Sequence, residues 1–419
     1  MARYPIQPFI STLALLAYLL MTPCLVQAED WSGFRGPHNL GVSSDEKVPV
    51  EWSDEKNLKW KLELPGKGFS SPIVVGPQIL VTCYSGSAAS VKRHLVSVDR
   101  QSGKINWVTS VDSKSPESRG ASFGTSHGFA SQTPVSDGKQ IYVLFGKAGV
   151  IAFDMQGKEI WKKSVGTGAA MFGSAASPIL YKDHLIVPAC SESQSIVALN
   201  KSDGEQAWST KAGSLGRSYV TPMVATNELG VDELLVSVVS ELWSLNPGTG
   251  KLNWYSVNSV DTNACPGLVQ NGSTVYVIGG RGPGGRAAIK LDGKKDAGEL
   301  KSLWSTTGGS YVSSPVLTKD HLFWFTERGM GICVDAKTGK EVTRKRIGGE
   351  FYASAILIKD KIYAVSRFSG THVFSATPEM TELAHNKLTD QSDFSGSPAV
   401  SDGQFIMRSD KYLYCIEAE

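Results

Sequence analysis

Seven arginines recur in loops that flank short apolar runs: Arg119, Arg217, Arg281, Arg286, Arg328, Arg367 and Arg408. Aromatic residues stand close by in the chain, at Phe69, Phe129, Tyr219, Tyr311, Tyr352 and Phe394. A guanidinium offers a planar fork of N–H donors to a carboxylate or phosphate, and an aromatic face attracts cations. These residue types together suit an anionic ligand, a sugar or a peptide. His127 follows Arg119 closely and joins the set. The candidate ligand- or partner-binding residues are therefore Arg119, His127, Arg217, Tyr219, Arg281, Arg286, Tyr311, Arg328, Tyr352, Arg367 and Arg408. Glu192, Glu327 and Asp410 occupy the same loops, so the surface is mixed in charge rather than uniformly basic.

Other residues that could do chemistry sit in patterns that point to structure. Asp99, Asp154, Asp292 and Asp335 fall in turns, where an aspartate accepts local backbone hydrogen bonds. Gly280-Arg281-Gly282-Pro283-Gly284-Gly285 matches a dinucleotide-binding spacing, but no helix follows it and no βαβ unit surrounds it, so it reads as a loop between strands. The histidines (His38, His94, His127, His184, His321, His372 and His385) are scattered, with no pair at metal-ligand spacing. No G-x-S-x-G, H-E-x-x-H or P-loop occurs, and no catalytic residue and no metal ligand is assigned.

The elements that position these loops repeat. A small polar residue and a proline open a strand, a second and third strand follow, and D-x-x-T-G-K-x-x-W leads into a fourth. The openings are at Pro72, Pro134, Pro178, Pro222, Pro266, Pro315, Ala355 and Pro398. A strand-built repeat of roughly 40–50 residues predicts a propeller. Trp60, Trp107, Trp161, Trp208, Trp254 and Trp304 recur at one position in the unit, with Thr343 replacing them in the sixth. A fixed place in the outermost strand predicts blade-to-blade docking. The last repeat stops one strand short, and Asn57–Lys61 is an orphan fourth strand. Pairing the two predicts an all-β, eight-bladed propeller closed by N- and C-terminal strands in one blade. Loops into each first strand and loops between second and third strands then share one face, which gathers the arginines and aromatics.

Composition narrows the function. The 42 Lys and Arg against 40 Asp and Glu give a net charge of +2 without a long charged block, which argues against nucleic-acid binding or a polybasic membrane foot. Arg3, an apolar run from Phe9 to Met21 and Val26-Gln27-Ala28 read as a secretory signal peptide over 1–28. Residues 29–56 read as an irregular segment packed on the body, and 57–419 as the propeller. After cleavage no transmembrane segment remains, and the chain is expected to be an exported monomer of the periplasm or exterior. Cys83, Cys190, Cys265, Cys333 and Cys415 remain, odd in number and never adjacent, which predicts buried inert thiols.

The unit Val96-Ser97-Val98-Asp99…Gly103-Lys104…Trp107, and again Cys333-Val334-Asp335…Thr338-Gly339-Lys340, resembles the tryptophan-docking repeat of the pyrroloquinoline-quinone (PQQ) propeller family. The resemblance covers about 57–419, and Trp31-Ser32-Gly33-Phe34-Arg35-Gly36-Pro37 also looks like the opening of secreted PQQ-like proteins. The family includes the outer-membrane assembly factor BamB, sensor domains and quinoprotein dehydrogenases. It implies an eight-bladed fold and one of two roles. One is a non-catalytic binding or scaffolding protein, BamB-like, that recognises a protein, a peptide or an anionic or sugar ligand. The alternative is a PQQ-dependent alcohol or sugar oxidoreductase. Such dehydrogenases hold PQQ beneath adjacent, disulfide-linked cysteines and a Ca²⁺ through acid and amide ligands. This chain has no adjacent cysteine pair, so neither PQQ nor Ca²⁺ is expected.

Overall fold

The structure, a computed structural model, describes residues 30–87, 89–113, 129–293 and 298–419, together with Met1 and Asp296. Residues 2–28 of the expected leader, Arg119 and His127 lie outside them. The repeat becomes eight antiparallel sheets, at 73–112, 135–163, 179–211, 223–257, 269–307, 316–346, 356–386 and 399–416. We number these blades 1 to 8 in that order. Blade 8 takes its outermost strand, Leu58–Glu63, from the other end of the chain, with Trp60 opposite Cys415. Hydrogen bonds between the two ends thus close the ring and leave no open sheet edge between blades.

Middle strands such as Gln78–Ser85 and Lys92–Asp99 hold continuous apolar runs because neighbouring blades cover both their faces. Ile79, Leu80, Val81, Leu95, Val96 and Val98 are all fully buried. Outer strands such as Ile105–Asp112 alternate instead, one side docked and one side wet.

The tryptophans dock as their spacing predicts, with one exception. The indole N–H groups of Trp60, Trp107, Trp161, Trp208 and Trp304 donate to the backbone carbonyls of Arg100, Met155, Lys201, Pro247 and Ala336, each in the next blade. Each ring lies flat on that blade's turn glycine. A methyl group on Gly103, Gly157, Gly204, Gly250 or Gly339 would come within 2.4–2.6 Å of the preceding blade's indole. Glycine is needed twice over at these turns, for the ring above it and for its positive φ, +70° at Gly250. Gly250→Ala is therefore expected to cost about 1–3 kcal/mol, read as a shifted denaturation midpoint. Trp254 corrects the uniform docking scheme. It is wholly buried among blade 4 and 5 residues, but its N–H donates at 2.7 Å to Glu233 Oε2 within its own blade. Blade 5 lacks the T-G-K turn, and its Gly293 meets Leu229 rather than an indole.

The Ser/Thr-Pro openings have a structural purpose that the repeat pattern did not disclose. The amide N–H of Ser71 donates to Thr133 Oγ1 in the next blade at 3.0 Å, Thr133 to Ser177 at 2.9 Å, and Ser177 to Thr221 at 3.0 Å. Across the ring Gly267 donates to Ser314, Ser314 to Ser354, and Ser354 to Ser397. The hydroxyls form a belt around the central channel that stitches first strand to first strand.

The segment ahead of the propeller packs on the blades through Trp31, Val48 and Trp52, and in doing so crosses the channel itself. The Trp31 carbonyl accepts from Val74 N–H in blade 1, and Ser32 from Ser136 in blade 2. Asn39 Nδ2 donates to Pro222 in blade 4, and Arg35 Nη2 to Pro315 in blade 6. Val42–Ser43 then adds a parallel strand inside Ile356–Ile358 of blade 7, and Asp45 accepts from Gly403 in blade 8. Positive φ at Arg35, Gly36, His38, Asn39 and Gly41 lets the chain coil tightly enough to fit.

Candidate functional site

The plug closes one end of the channel and leaves a funnel at the other. Phe34 forms its floor, the hydroxyl belt of Ser71, Thr133, Ser177, Thr221, Ser314, Ser354 and Ser397 its wall, and Phe69, Phe172, Tyr219, Tyr311 and Tyr352 its upper ring. The recess encloses about 950 Å³, its open mouth included. The aromatics reach it because each stands just before a first strand, where the chain turns into the channel. Phe172 and Tyr219 meet edge to face, centroids 5.7 Å apart. Burial pushes the phenols of Tyr219, Tyr311 and Tyr352 above the ordinary tyrosine range, so they stay neutral hydrogen-bonding groups. Burial likewise pushes the Cys265 thiol in the wall up to about 12, which makes it unreactive.

The arginines divide into distinct groups. Arg281 is exposed and lies over the Tyr311 ring, 5.6 Å from its centroid. Arg367 lies 4.4 Å over Tyr352 and 4.9 Å over Phe368. It also bonds Glu350 at 2.9 Å and Asp393, so its charge is largely answered. Burial works against that charge, but the two carboxylates outweigh it and hold the guanidinium above its ordinary pKa. Arg217 is exposed at the end of the short helical turn Gly213–Arg217, beside Tyr219. Arg328, with a side chain 75% exposed, stands beside Glu327 in a separate groove between blades 5 and 6.

Two arginines of the set are corrected to structural roles. Arg408 is wholly buried and donates to the carbonyls of Thr82 and Ser409, joining blade 8 to blade 1. Arg286 is buried and donates to the carbonyls of Thr307, Gly308 and Gly339. Sequence could not separate them from surface arginines, because loop position alone does not say which way a side chain turns. Phe34 and Phe172 are the site residues the sequence reading missed. Phe34 had no signal, since nothing local says that its segment enters the channel.

The described lining contains no carboxylate, amide, histidine or lysine. The polar side chains of that described lining are hydroxyls, phenols and one thiol, without the carboxylate and amide oxygens that hold Ca²⁺. This donor set does not fit a PQQ–calcium pair.

Fold and funnel together define a plugged, tryptophan-docked eight-bladed propeller with a blind recess on its axis. The chain belongs to the family whose sequence model is described as outer membrane protein assembly factor BamB, matching residues 38–167 and 91–345. No curated protein matches it in sequence. Among solved structures it is similar to BamB from Moraxella catarrhalis, at 12% identity and a TM-score of 0.59, over 85% of this chain and 98% of that one. It is also similar to the computationally designed Ika8 protein, at 11% identity and a TM-score of 0.56, over 84% and 98% of the two chains. The quinohemoprotein alcohol dehydrogenase from Comamonas testosteroni aligns at 12% identity with a TM-score of 0.45, over 93% and 81%. No helix among the described residues is long and apolar enough to cross a membrane.

Proposed function

We propose that this chain is an exported, monomeric, non-catalytic recognition module of the bacterial envelope, which takes a protruding peptide segment of a partner into its funnel. The observation that carries this is the blind recess: closed by the chain's own Phe34, walled with hydroxyls and ringed with aromatics from several blades. Such a recess is pre-formed, so an inserted side chain is held without an ordering cost to the receptor. The aromatic ring suits an apolar or aromatic tip. Exposed Arg217 and Arg281 at the rim favour acidic residues flanking it. Export rests on the leader read over 1–28, and the monomer on the closed ring.

Panning a random-peptide library over the purified chain tests the reading. Sequences with an apolar tip beside acidic residues are expected to be enriched. Phe34→Trp, which fills the recess from its floor, is expected to weaken their binding at least about tenfold, a loss of about 1.4 kcal/mol. The reading fails if no enriched peptide depends on Phe34. It also fails if PQQ with Ca²⁺ gives a bound chromophore and dye-linked alcohol oxidation.

A further inference from the structure

Blade 7 carries a cluster that the funnel does not use. His372 lies on the strand Gly370–Ser375, and Glu382 and His385 lie on the outermost strand Glu382–Asn386. Residues three apart in a regular strand point to opposite faces. Here His385 stands opposite His372, and Glu382 opposite Phe374, with a register shift between them. The extra residue, Leu383, bulges out and turns Glu382 onto the face that His385 occupies. The two imidazoles stack, centroids 3.9 Å apart and planes 18° from parallel. One ligand atom from each of the three side chains lies within 4.8 Å of the others.

The hydrogen bonds assign the protons. His372 Nδ1 donates to Glu382 Oε1 at 2.8 Å, and His385 Nε2 donates to the Ser369 carbonyl at 2.6 Å. The bond to Ser369 fixes the His385 tautomer and leaves a lone pair on its Nδ1, as carbonyl partners do behind metal-bound histidines. On His372 it is Nδ1 itself that faces the carboxylate, so an ion held by both takes the place of the proton between them. The His372 Nε2 lies on the side of the ring away from the carboxylate, is buried and has no hydrogen-bond partner, so it is free to carry the proton that Nδ1 gives up. The residue is 4% exposed and flanked by Phe351 and Phe374.

We propose that His372, Glu382 and His385 bind a divalent ion of the zinc or copper(II) class through two imidazoles and a carboxylate, with a further position open to solvent. Nitrogen donors with one carboxylate suit these borderline ions, whereas Ca²⁺ and Mg²⁺ call for oxygen donors throughout. Glu382 is 43% exposed and His385 is exposed, so the ion has a way in. Parallel rings cannot aim two lone pairs at one point, so binding turns the exposed His385 ring out of the stack. The ion then ties the outermost strand of blade 7 to the strand inside it.

The test uses the full chain, tag-free and stripped with chelator, dialysed against Zn²⁺ or Cu²⁺ and analysed for bound metal, with melting temperature read in parallel. One equivalent of at least one ion is expected, with a higher melting temperature. His385→Gln and Glu382→Gln, both at exposed positions, are each expected to weaken binding at least about tenfold and to remove the thermal shift. Their metal-free melting should stay near that of the parent, so lost binding cannot be put down to misfolding. Less than one equivalent of either ion overturns the proposal, as does unchanged affinity in both variants.

Discussion

Trp31→Ala is expected to lower the free energy of unfolding by about 3–5 kcal/mol, the range for emptying a large buried aromatic site. Trp31 is 2% exposed and belongs to the largest buried cluster, with Val74 of blade 1 and Ile356 and Tyr363 of blade 7. Its ring also fixes the plug's turn, since a Cβ on Gly36 would lie 2.5 Å from the indole. Truncation therefore removes the contact that holds the plug's entry and leaves the coil at 35–41 without its backing. Trp31→Phe separates packing from polarity. The indole Nε1 is buried and has no hydrogen-bond partner, so phenylalanine keeps most of the volume and discards an unmet donor. It is expected to cost less than about 1.5 kcal/mol. Denaturant melts of both variants decide this, and an unchanged midpoint for Trp31→Ala would show that the plug does not support the fold.

The repeat made the ring legible because every unit states the same local rules: turn glycine, docking tryptophan, buried middle strands. Even the closure by Leu58–Glu63 could be read, since one unit lacked a strand and another segment supplied it. The plug was not legible. Trp31 to Asp45 has no strand periodicity, and its hydrogen bonds run to six separate blades that only the closed ring brings together. The aromatics Tyr219, Tyr311 and Tyr352 were placed on the channel by the rule that puts first-strand loops on one face, and they line the funnel. The arginines obey the same rule but divide by burial, which loop position does not encode. The pairing of His372 with His385 was hidden for another reason. It depends on a bulge at Leu383, and a one-residue slip reverses which face a side chain takes.

Arg408 tests that lesson directly, because one substitution separates a ligand-binding arginine from a structural one. Arg408→Ala is expected to cost about 3–5 kcal/mol, from the cavity and from acceptors left unmet. Its Nη1 donates to Thr82 O at 2.8 Å and Ser70 Oγ at 3.2 Å in blade 1, and its Nε to Ser409 O at 3.0 Å in blade 8. The strand Leu58–Glu63 joins the same two blades, pairing in blade 8 before the chain runs on into blade 1. Arg100 spans the same joint, donating to Gln404 Oε1 at 2.9 Å and Ser401 O at 2.8 Å. The charge itself is a burden. Burial lowers the Arg408 pKa to about 10, so its charged form is disfavoured by folding throughout neutral pH, and that cost is relieved only as pH rises past the lowered value. Arg408→Met keeps much of the stem's packing and sheds the buried charge, so it should cost less than the alanine variant. Both are expected to leave funnel-dependent peptide binding unchanged once allowance is made for the folded fraction, since Arg408 does not line the recess. Loss of peptide binding at unchanged stability would return Arg408 to the ligand-binding set. Loss of stability with binding intact places it where its buried hydrogen bonds do, as the bolt between the first blade and the last.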